Sequence, residues 1–257
     1  MNGSAPPWPW RIRSYPRLAS TSDLCLKLAT AGEPDGLAVL AAEQSAGRGT
    51  SGRLWQSAAG NLFLSVLLRP PSRAAEAGQY ALLTGVALWE ALAAFLPEPG
   101  SLSLKWPNDL LLAGRKLAGI LIESASGADG RLDWLVIGIG ANLAVAPMVP
   151  GRETASLADA GIVPPLAEDA ARAVLGRVGH WRVILETEGF SPVRAAWLAH
   201  AHPLGTPLVV TGGGASRRGR FAGLTEVGAL MLSTGAGTRS FAAGDVREEV
   251  SDSPCSS

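Results

Sequence analysis

The chain has 257 residues, 22 Lys+Arg against 22 Asp+Glu and 47% hydrophobic residues, so it is long enough for a substantial core and has no overall charge to draw it to nucleic acid. Its longest apolar runs, such as Leu110-Leu111-Leu112-Ala113 and Leu135-Val136-Ile137, fall far short of the ~20 residues that span a bilayer. The opening residues 1–10 hold Pro6, Pro7 and Pro9 and no apolar helical stretch, which argues against a secretory signal and for a cytoplasmic protein, and Cys25 and Cys255 are expected as free thiols.

Residues 1–16 read as an N-terminal arm, with Trp8-Pro9-Trp10-Arg11 expected to pack on the main body. Ser20-Thr21-Ser22-Asp23 supplies a hydroxyl cap with an acidic residue behind it, and Leu24, Cys25, Leu26, Leu28 and Ala29 carry a helix to Ala31. After Gly36, Leu37 to Ala42 reads as a buried strand that delivers Glu43 and Gln44 to a glycine-rich loop ending at Gly60-Asn61. Leu62 to Leu68 is a second strand, stopped by Arg69-Pro70-Pro71, and Glu76 to Phe95 an Ala/Leu-rich helix ended by Pro97. Leu102 to Lys105 alternates as a strand, Leu110–Leu112 and 116–124 form a hairpin turning at Ala113-Gly114, and Asp129-Gly130 turns into a strand from Asp133 to Ile139. The glycines of Gly138-Ile139-Gly140-Ala141-Asn142 allow something to approach the backbone closely. Leu166, Ala170, Val174, Val178, Trp181 and Leu185 recur at helical spacing through Glu188, and a further helix covers about Pro192 to Ala201. Beyond Pro203 come short strands at Leu208–Thr211, Arg218–Leu224, Ala229–Leu232 and Arg239–Ala242, the texture of a small β-barrel. The expectation is an α+β fold: a mixed, largely antiparallel sheet flanked by helices at 17–202, a barrel at 203–247, and a flexible tail at 248–257.

Two segments concentrate cations on tight-turning backbone. They are Glu43 to Trp55, with Arg48 and Arg53, and Lys105-Trp106-Pro107-Asn108-Asp109 with Gly114-Arg115-Lys116-Leu117-Ala118-Gly119. In a chain of balanced charge, such clustering points to a pocket for a multiply charged anion. Gly47-x-Gly49-x-x-Gly52 matches the dinucleotide fingerprint literally, but it leads into another strand instead of opening a helix, and positions 72 and 73 are Ser and Arg where an acidic ribose ligand belongs. No Gly-Lys-Ser/Thr closes a Walker loop. Taken alone, the arginine run also reads as a solvated turn, Lys116 as an exposed strand-end cation, Ser20-Thr21-Ser22 as a helix cap, Trp106 as core, and Asn108 as a turn residue after Pro107. His180, His200 and His202 are expected at the surface near the late helices, without the spacing of a zinc site.

The ordered set Ser20-Thr21-Ser22, Gln44, Gly47-Arg48-Gly49-x-x-Gly52-Arg53-x-Trp55, Gly60-Asn61-Leu62, Lys105 to Asp109, Arg115 to Leu121, Glu123 and Gly138-x-Gly140-x-Asn142 resembles the biotin–protein ligases from about residue 15 to 247. The resemblance implies a class II synthetase-like biotin/lipoate ligase fold with an SH3-like barrel. The implied reaction joins biotin to ATP as biotinyl-5′-AMP, with Mg²⁺, and passes the biotinyl group to a lysine of a biotin carboxyl carrier protein domain. Arg48 and Lys116 then take the catalytic roles. Ser20, Thr21, Ser22, Gln44, Arg48, Gly49, Thr50, Lys116 and Gly119 would hold biotin, and Arg48, Arg53, Trp55, Lys105, Trp106, Asn108 and Asn142 the nucleotide. Asp109 would hold Mg²⁺ through ATP, Lys105 would serve the pyrophosphate side, and no tightly bound cofactor is implied. The barrel would assist ATP and carrier binding.

Two positions depart from the pattern. Thr50 stands where many relatives have arginine, which implies a looser hold on biotinyl-5′-AMP unless Arg53 or Arg115 compensates, and Ser22 stands where asparagine is usual. With 19 residues before Ser20, DNA binding is not expected; a monomer or weak homodimer is. The rival readings are a lipoate- or octanoate-type ligase of the same superfamily and a biotin-binding sensor without ligase activity.

Overall fold

A computed structural model describes residues 8–212 and 214–249. Strand β1 (Arg11–Leu18) runs parallel to β2 (Leu37–Gln44), and helix α1 (Thr21–Thr30) connects them. Residues 11–16 are therefore sheet, which corrects the expected arm. β1 lies at an edge where Ile12, Tyr15 and Leu18 are half-buried and the other five residues exposed, so it lacks the apolar alternation that marks a strand in sequence. Pro16 is tolerated there because an edge strand need not donate on both sides. The preceding residues do pack on the body: Trp10 Nε1 donates to the Leu175 carbonyl at 2.8 Å, and the Trp8 ring lies 4.0 Å from the Arg182 guanidinium.

Beyond β2 the sheet is antiparallel. β3 (Leu62–Leu68), β4 (Leu102–Lys105), β5 (Asp109–Leu112), β6 (Arg115–Ser126) and β7 (Leu132–Ala141) complete a seven-stranded order β1-β2-β3-β7-β6-β5-β4. The β5–β6 hairpin turns through Ala113 and Gly114, both at positive φ (49° and 76°), the geometry of a two-residue hairpin turn. Successive strand residues alternate between two faces. Ala38, Leu40, Leu64, Val66, Ile120, Ile137 and Ile139 share a core with α2 (Ala77–Ala93) and α3 (Ala167–Glu188), which α4 (Phe190–Ala199) joins. Leu37, Val39, Leu67 and Val136 pack instead with Cys25 and Ala29 of α1. That helix has ten residues and covers one end of its face. Farther along the same face, β3, β6 and β7 present Ser65, Gly119, Gly138 and Gly140.

After α4 come β8 (Pro207–Gly212), β9 (Ala215–Leu224), β10 (Leu230–Thr234), β11 (Gly237–Phe241) and β12 (Asp245–Glu248), an antiparallel sheet of order β11-β10-β9-β8-β12. β12, which carries Asp245 and Arg247 on a largely polar strand, was not expected as one and extends into the expected tail. Its Val246 and the inward residues Leu208, Val210, Phe221, Leu224, Leu230 and Leu232 belong to the same apolar core as α2 and α3. The architecture is thus α+β, a mixed and largely antiparallel sheet flanked by helices, with a second small sheet at the C-terminal side. Cys25 is a buried free thiol, while Cys255 and most of the expected tail lie outside the described residues.

Candidate active site

The glycines of β6 and β7 make the floor of a pocket, because a side chain there would strike what lies above. A Cβ on Gly138 would come within 2.5 Å of Ser22 Oγ, one on Gly119 within 3.1 Å of both Lys116 Nζ and the Trp55 ring, and one on Gly140 within 2.7 Å of Trp55 Nε1. Thr21, Ser22, Gln44, Arg48, Lys116 and Trp55 rise around this floor. At the α1 end, hydroxyls and an amide form a directed chain. Ser22 Oγ meets Ser65 Oγ at 3.1 Å, Ser65 Oγ donates to Thr21 Oγ1 at 2.8 Å, and Thr21 donates to Gln44 Oε1 through its backbone N–H (2.8 Å) and its hydroxyl (3.1 Å). Gln44 Nε2 then donates to Ser57 Oγ at 3.2 Å. Each link is buried or half-buried, where an unpaired polar group is costly, so the chain fixes the orientation of every member. Ser20 is buried as the α1 cap, its Oγ accepting from Asp23 N at 3.3 Å, and does not line the pocket.

The glycine loop folds over this floor as a narrow hairpin, with Trp55 N donating to Gly47 O at 2.9 Å and Gly49 N to Arg53 O at 2.7 Å. Arg48 clasps it down. Its guanidinium donates to Asp23 Oδ1 at 2.7 Å and Glu123 Oε1 at 2.6 Å, bonds that raise its pKa above the ordinary arginine value. The expected free cation is therefore committed to two carboxylates, and Asp23 and Glu123 join the site as fasteners. Arg53 turns back on Thr50, donating to its carbonyl (3.1 Å) and its Oγ1 (2.9 Å), so a guanidinium sits over the position where arginine was missed. Arg115 points away, paired with Asp159 at 3.3 Å.

Lys116 stands at the far end of the floor. A bulge at Leu117 shifts the β5–β6 register between Leu110 and Leu111, and such irregularities re-aim the neighbouring side chain. Its ammonium donates to Asp109 Oδ1 at 2.5 Å and lies 5.6 Å from the Trp55 ring centre. Lys105 lies 4.0 Å from the other oxygen of Asp109, and its pKa is lowered mainly by burial, with Asp109 opposing. Asn108 Nδ2 donates to Ile120 O at 2.6 Å and holds β6 in place at the pocket wall.

Trp55 divides two spaces. On its floor side the pocket leaves a cavity of about 40 Å³; on its outer side a largely apolar cavity of about 320 Å³ is lined by Leu54, Gln56, Pro147, Val149, Arg152 and Asn142, among others. Asn142 Nδ2 donates to Ala155 O at 3.0 Å, while its buried Oδ1 has no partner among the described residues. Beyond Lys116 a charged cleft of about 470 Å³ runs between the two sheets, lined by Lys105, Asp109, Arg152, His202, Asp245 and Arg247, among others.

Two expectations need correction. Trp106 does not face the nucleotide side: it is 3% exposed, in the core, and its Nε1 donates to Gly228 O of the β9–β10 turn at 3.1 Å. His200 and His202 are not free surface residues. His200 stacks on Trp89 at 3.5 Å, and His202 is buried, its Nδ1 paired with Glu248 Oε1 at 2.9 Å. Ser65, Asp23 and Arg152 were missing from the candidate set, and Glu123 stood in the ordered motif set without a role. A serine within the otherwise apolar run Leu62-Phe63-Leu64-Ser65-Val66-Leu67-Leu68 was the available signal for the first.

The profile of the Biotin/lipoate A/B protein ligase family matches residues 14–142. The chain is 39% identical to the biotin–[acetyl-CoA-carboxylase] ligase of Paracoccus denitrificans over 247 residues, covering 90% of this chain and 97% of that one. It belongs to the biotin/lipoate A/B protein ligase family. A second relative, the biotin–[acetyl-CoA-carboxylase] ligase of Mycobacterium tuberculosis, is 32% identical over 89% of this chain and 85% of its own length. The biotin protein ligase from Aquifex aeolicus, solved in complex with biotin and ATP, superposes with a TM-score of 0.80 at 25% identity over 93% of this chain and 99% of that one. Within this family fold the floor glycines, the polar chain and Lys116 occupy one continuous surface. No helix of the described residues is long and apolar enough to cross a membrane.

Proposed function

We infer that the protein is an ATP-dependent biotin ligase, which forms biotinyl-5′-AMP and passes the biotinyl group to a lysine of a biotin carboxyl carrier protein domain. One observation carries this reading: the polar pocket and the apolar cavity meet at Lys116. The polar end offers both donors and acceptors. Ser22 Oγ keeps acceptor capacity and Gln44 Nε2 a second N–H, which suits the ureido ring of biotin and not the dithiolane of lipoate. The apolar cavity suits adenine, with Asn142 in its wall. The Paracoccus relative's name and the Aquifex complex with biotin and ATP support the same substrates.

In the first step a biotin carboxylate oxygen attacks the α-phosphorus, a P–O–C anhydride bond forms, and the bond to the β-phosphate breaks to release pyrophosphate. Two anions must meet, so Lys116, set between the cavities, offsets their repulsion and follows the charge. Lys105 serves the departing pyrophosphate. Burial lowers its pKa from the ordinary lysine value, and the nearby Asp109 opposes that shift. In the second step the carrier's lysine amine attacks the acyl carbon and AMP leaves with the electron pair. Arg48 acts in this reading by holding the loop over the anhydride and excluding water. Among the described residues no group of three His, Cys, Asp or Glu forms a metal cage. Mg²⁺ needs no such cage when it arrives on nucleotide phosphates; Asp109, whose two oxygens face Lys116 and Lys105, is the carboxylate this reading assigns to it, and the ion would screen phosphate charge. With acidic and basic residues balanced at 22 each, the reading assigns no DNA target.

The test is biotin-dependent exchange of pyrophosphate into ATP, followed by intact mass of a carrier domain. A gain of one biotinyl group is expected; exchange with lipoate or octanoate in place of biotin overturns the substrate, and biotin binding without exchange leaves a sensor.

A further inference from the structure

Arg152 stands at a junction. It lines the apolar cavity beside Trp55, the charged cleft with Lys105 and Lys116, and a groove formed with Pro107, Asn108 and Gly244. Its backbone N–H donates to Val149 O at 3.1 Å, and the residues that follow it are held against Lys116. Lys116 N donates to Glu153 O and Ala155 N to Lys116 O, each at 2.9 Å, while Thr154 Oγ1 donates to Pro147 O at 2.6 Å. The side chain is far less committed. Its guanidinium meets Asp245 Oδ2 of β12 at 3.6 Å, beyond hydrogen-bond length, and that same oxygen also serves Arg53 at 3.7 Å. Arg48, by contrast, spends its fork on two carboxylates at 2.7 and 2.6 Å. Two guanidinium groups thus share one oxygen loosely, in a cleft that also holds Lys105 and Lys116. This arrangement leaves N–H donors for an anion with several oxygens.

We propose that Arg152 binds the β- and γ-phosphates of ATP, and that Asp245 of the second sheet occupies its guanidinium until the nucleotide displaces it. The proposal rests on the ligase reading for the identity of the nucleotide. Arg152 lies beside Lys105 and next to the apolar cavity, so one ligand spanning the two spaces meets it in the middle. Asp245 acts as a competitor whose charge must be displaced, and its release ties nucleotide arrival to the contact between the sheets.

Nucleotide binding to the full chain with Mg²⁺ is measured by calorimetry for ATP and for AMP, alongside pyrophosphate exchange. Arg152→Ala is expected to weaken ATP about tenfold or more, leave AMP unchanged, and raise KM for ATP without raising KM for biotin. Arg152→Lys should recover part of the loss. Asp245→Asn should tighten ATP in the wild-type background and have no such effect in Arg152→Ala. Equal affinity of wild type and Arg152→Ala for ATP, or an equal loss for ATP and AMP, overturns the proposal. Should Arg152→Ala fail to fold, the same comparison with Arg152→Gln decides it. If the wild type binds ATP but exchanges no pyrophosphate with biotin, the ligase reading fails while the ATP-against-AMP comparison still decides this one.

Discussion

A single amide side chain holds the exit of β7. Asn61 Oδ1 accepts the backbone N–H groups of Leu143, Ala144 and Val145 at 2.9, 3.0 and 3.1 Å, and its Nδ2 donates to Val145 O at 2.8 Å. The chain from there carries Pro147, Val149 and Arg152 to the apolar cavity. Asn61→Ala strands these donors, each buried one costing about 1–3 kcal/mol, so a clear drop in Tm and a raised KM for ATP are expected; Asn61→Asp keeps the acceptor but turns a carboxylate oxygen on Val145 O, so it should recover only part of the Tm. Gly140 makes a different demand. Its added methyl in Gly140→Ala would sit 2.7 Å from Trp55 Nε1 and force the ring off the floor. Biotin affinity, read by calorimetry, should fall about tenfold or more, in keeping with the effect of one methyl in a pocket, and unchanged affinity would count against Trp55 as its wall. Residues of this kind were only partly legible in sequence. Gly138 and Gly140 announced a close approach without naming Trp55 or Ser22 as what approaches, because those neighbours come from distant segments. Arg48 announced positive charge, but its neutralisation by Asp23 and Glu123 needs three elements to converge.

At the scale of elements, periodicity identified what is buried and missed what is exposed. α1, β3, α2 and α3 fall within a few residues of their expected ranges because each carries an apolar pattern. β1 and β12 are polar strands at sheet edges, so pairing alone makes them strands. The join between α4 and β12 has its own chemistry. His202 Nε2 is buried without a partner among the described residues, and burial lowers the pKa of the ring, with Glu248 opposing and Lys105 adding to the effect. The folded state therefore holds the neutral ring, while the unfolded chain takes up its proton near the ordinary value of about 6.5. Stability from this site is full above that pH and is lost as pH falls from it toward the lower folded value. Thermal melts at about pH 7.5 and 5.5 should show a Tm gap between wild type and His202→Gln that shrinks on acidification. A gap independent of pH would place the effect in packing alone.

For the whole molecule, both edges of the seven-stranded sheet are guarded. β1 carries Pro16 with Arg11, Arg13 and Arg17, and β4 is covered where Leu104 N donates to His200 O at 2.7 Å. Such edges discourage strand pairing with a second copy, and light scattering after size exclusion, expected to give the mass of one chain or a weak, concentration-dependent dimer, tests this. The second sheet has a less obvious consequence. Leu208, Phe221, Leu230 and Val246 share one apolar core with α2 and α3, and Trp106 bonds across to Gly228. The two sheets should consequently melt as one cooperative unit, with calorimetric and van't Hoff enthalpies equal. Truncation at residue 203 would expose that core and unfold the catalytic sheet along with the loss of the small one. Removing the second sheet is then a measurement of folding cooperativity, and its contribution to catalysis has to be read from point changes such as Asp245→Asn, which leave the shared core intact.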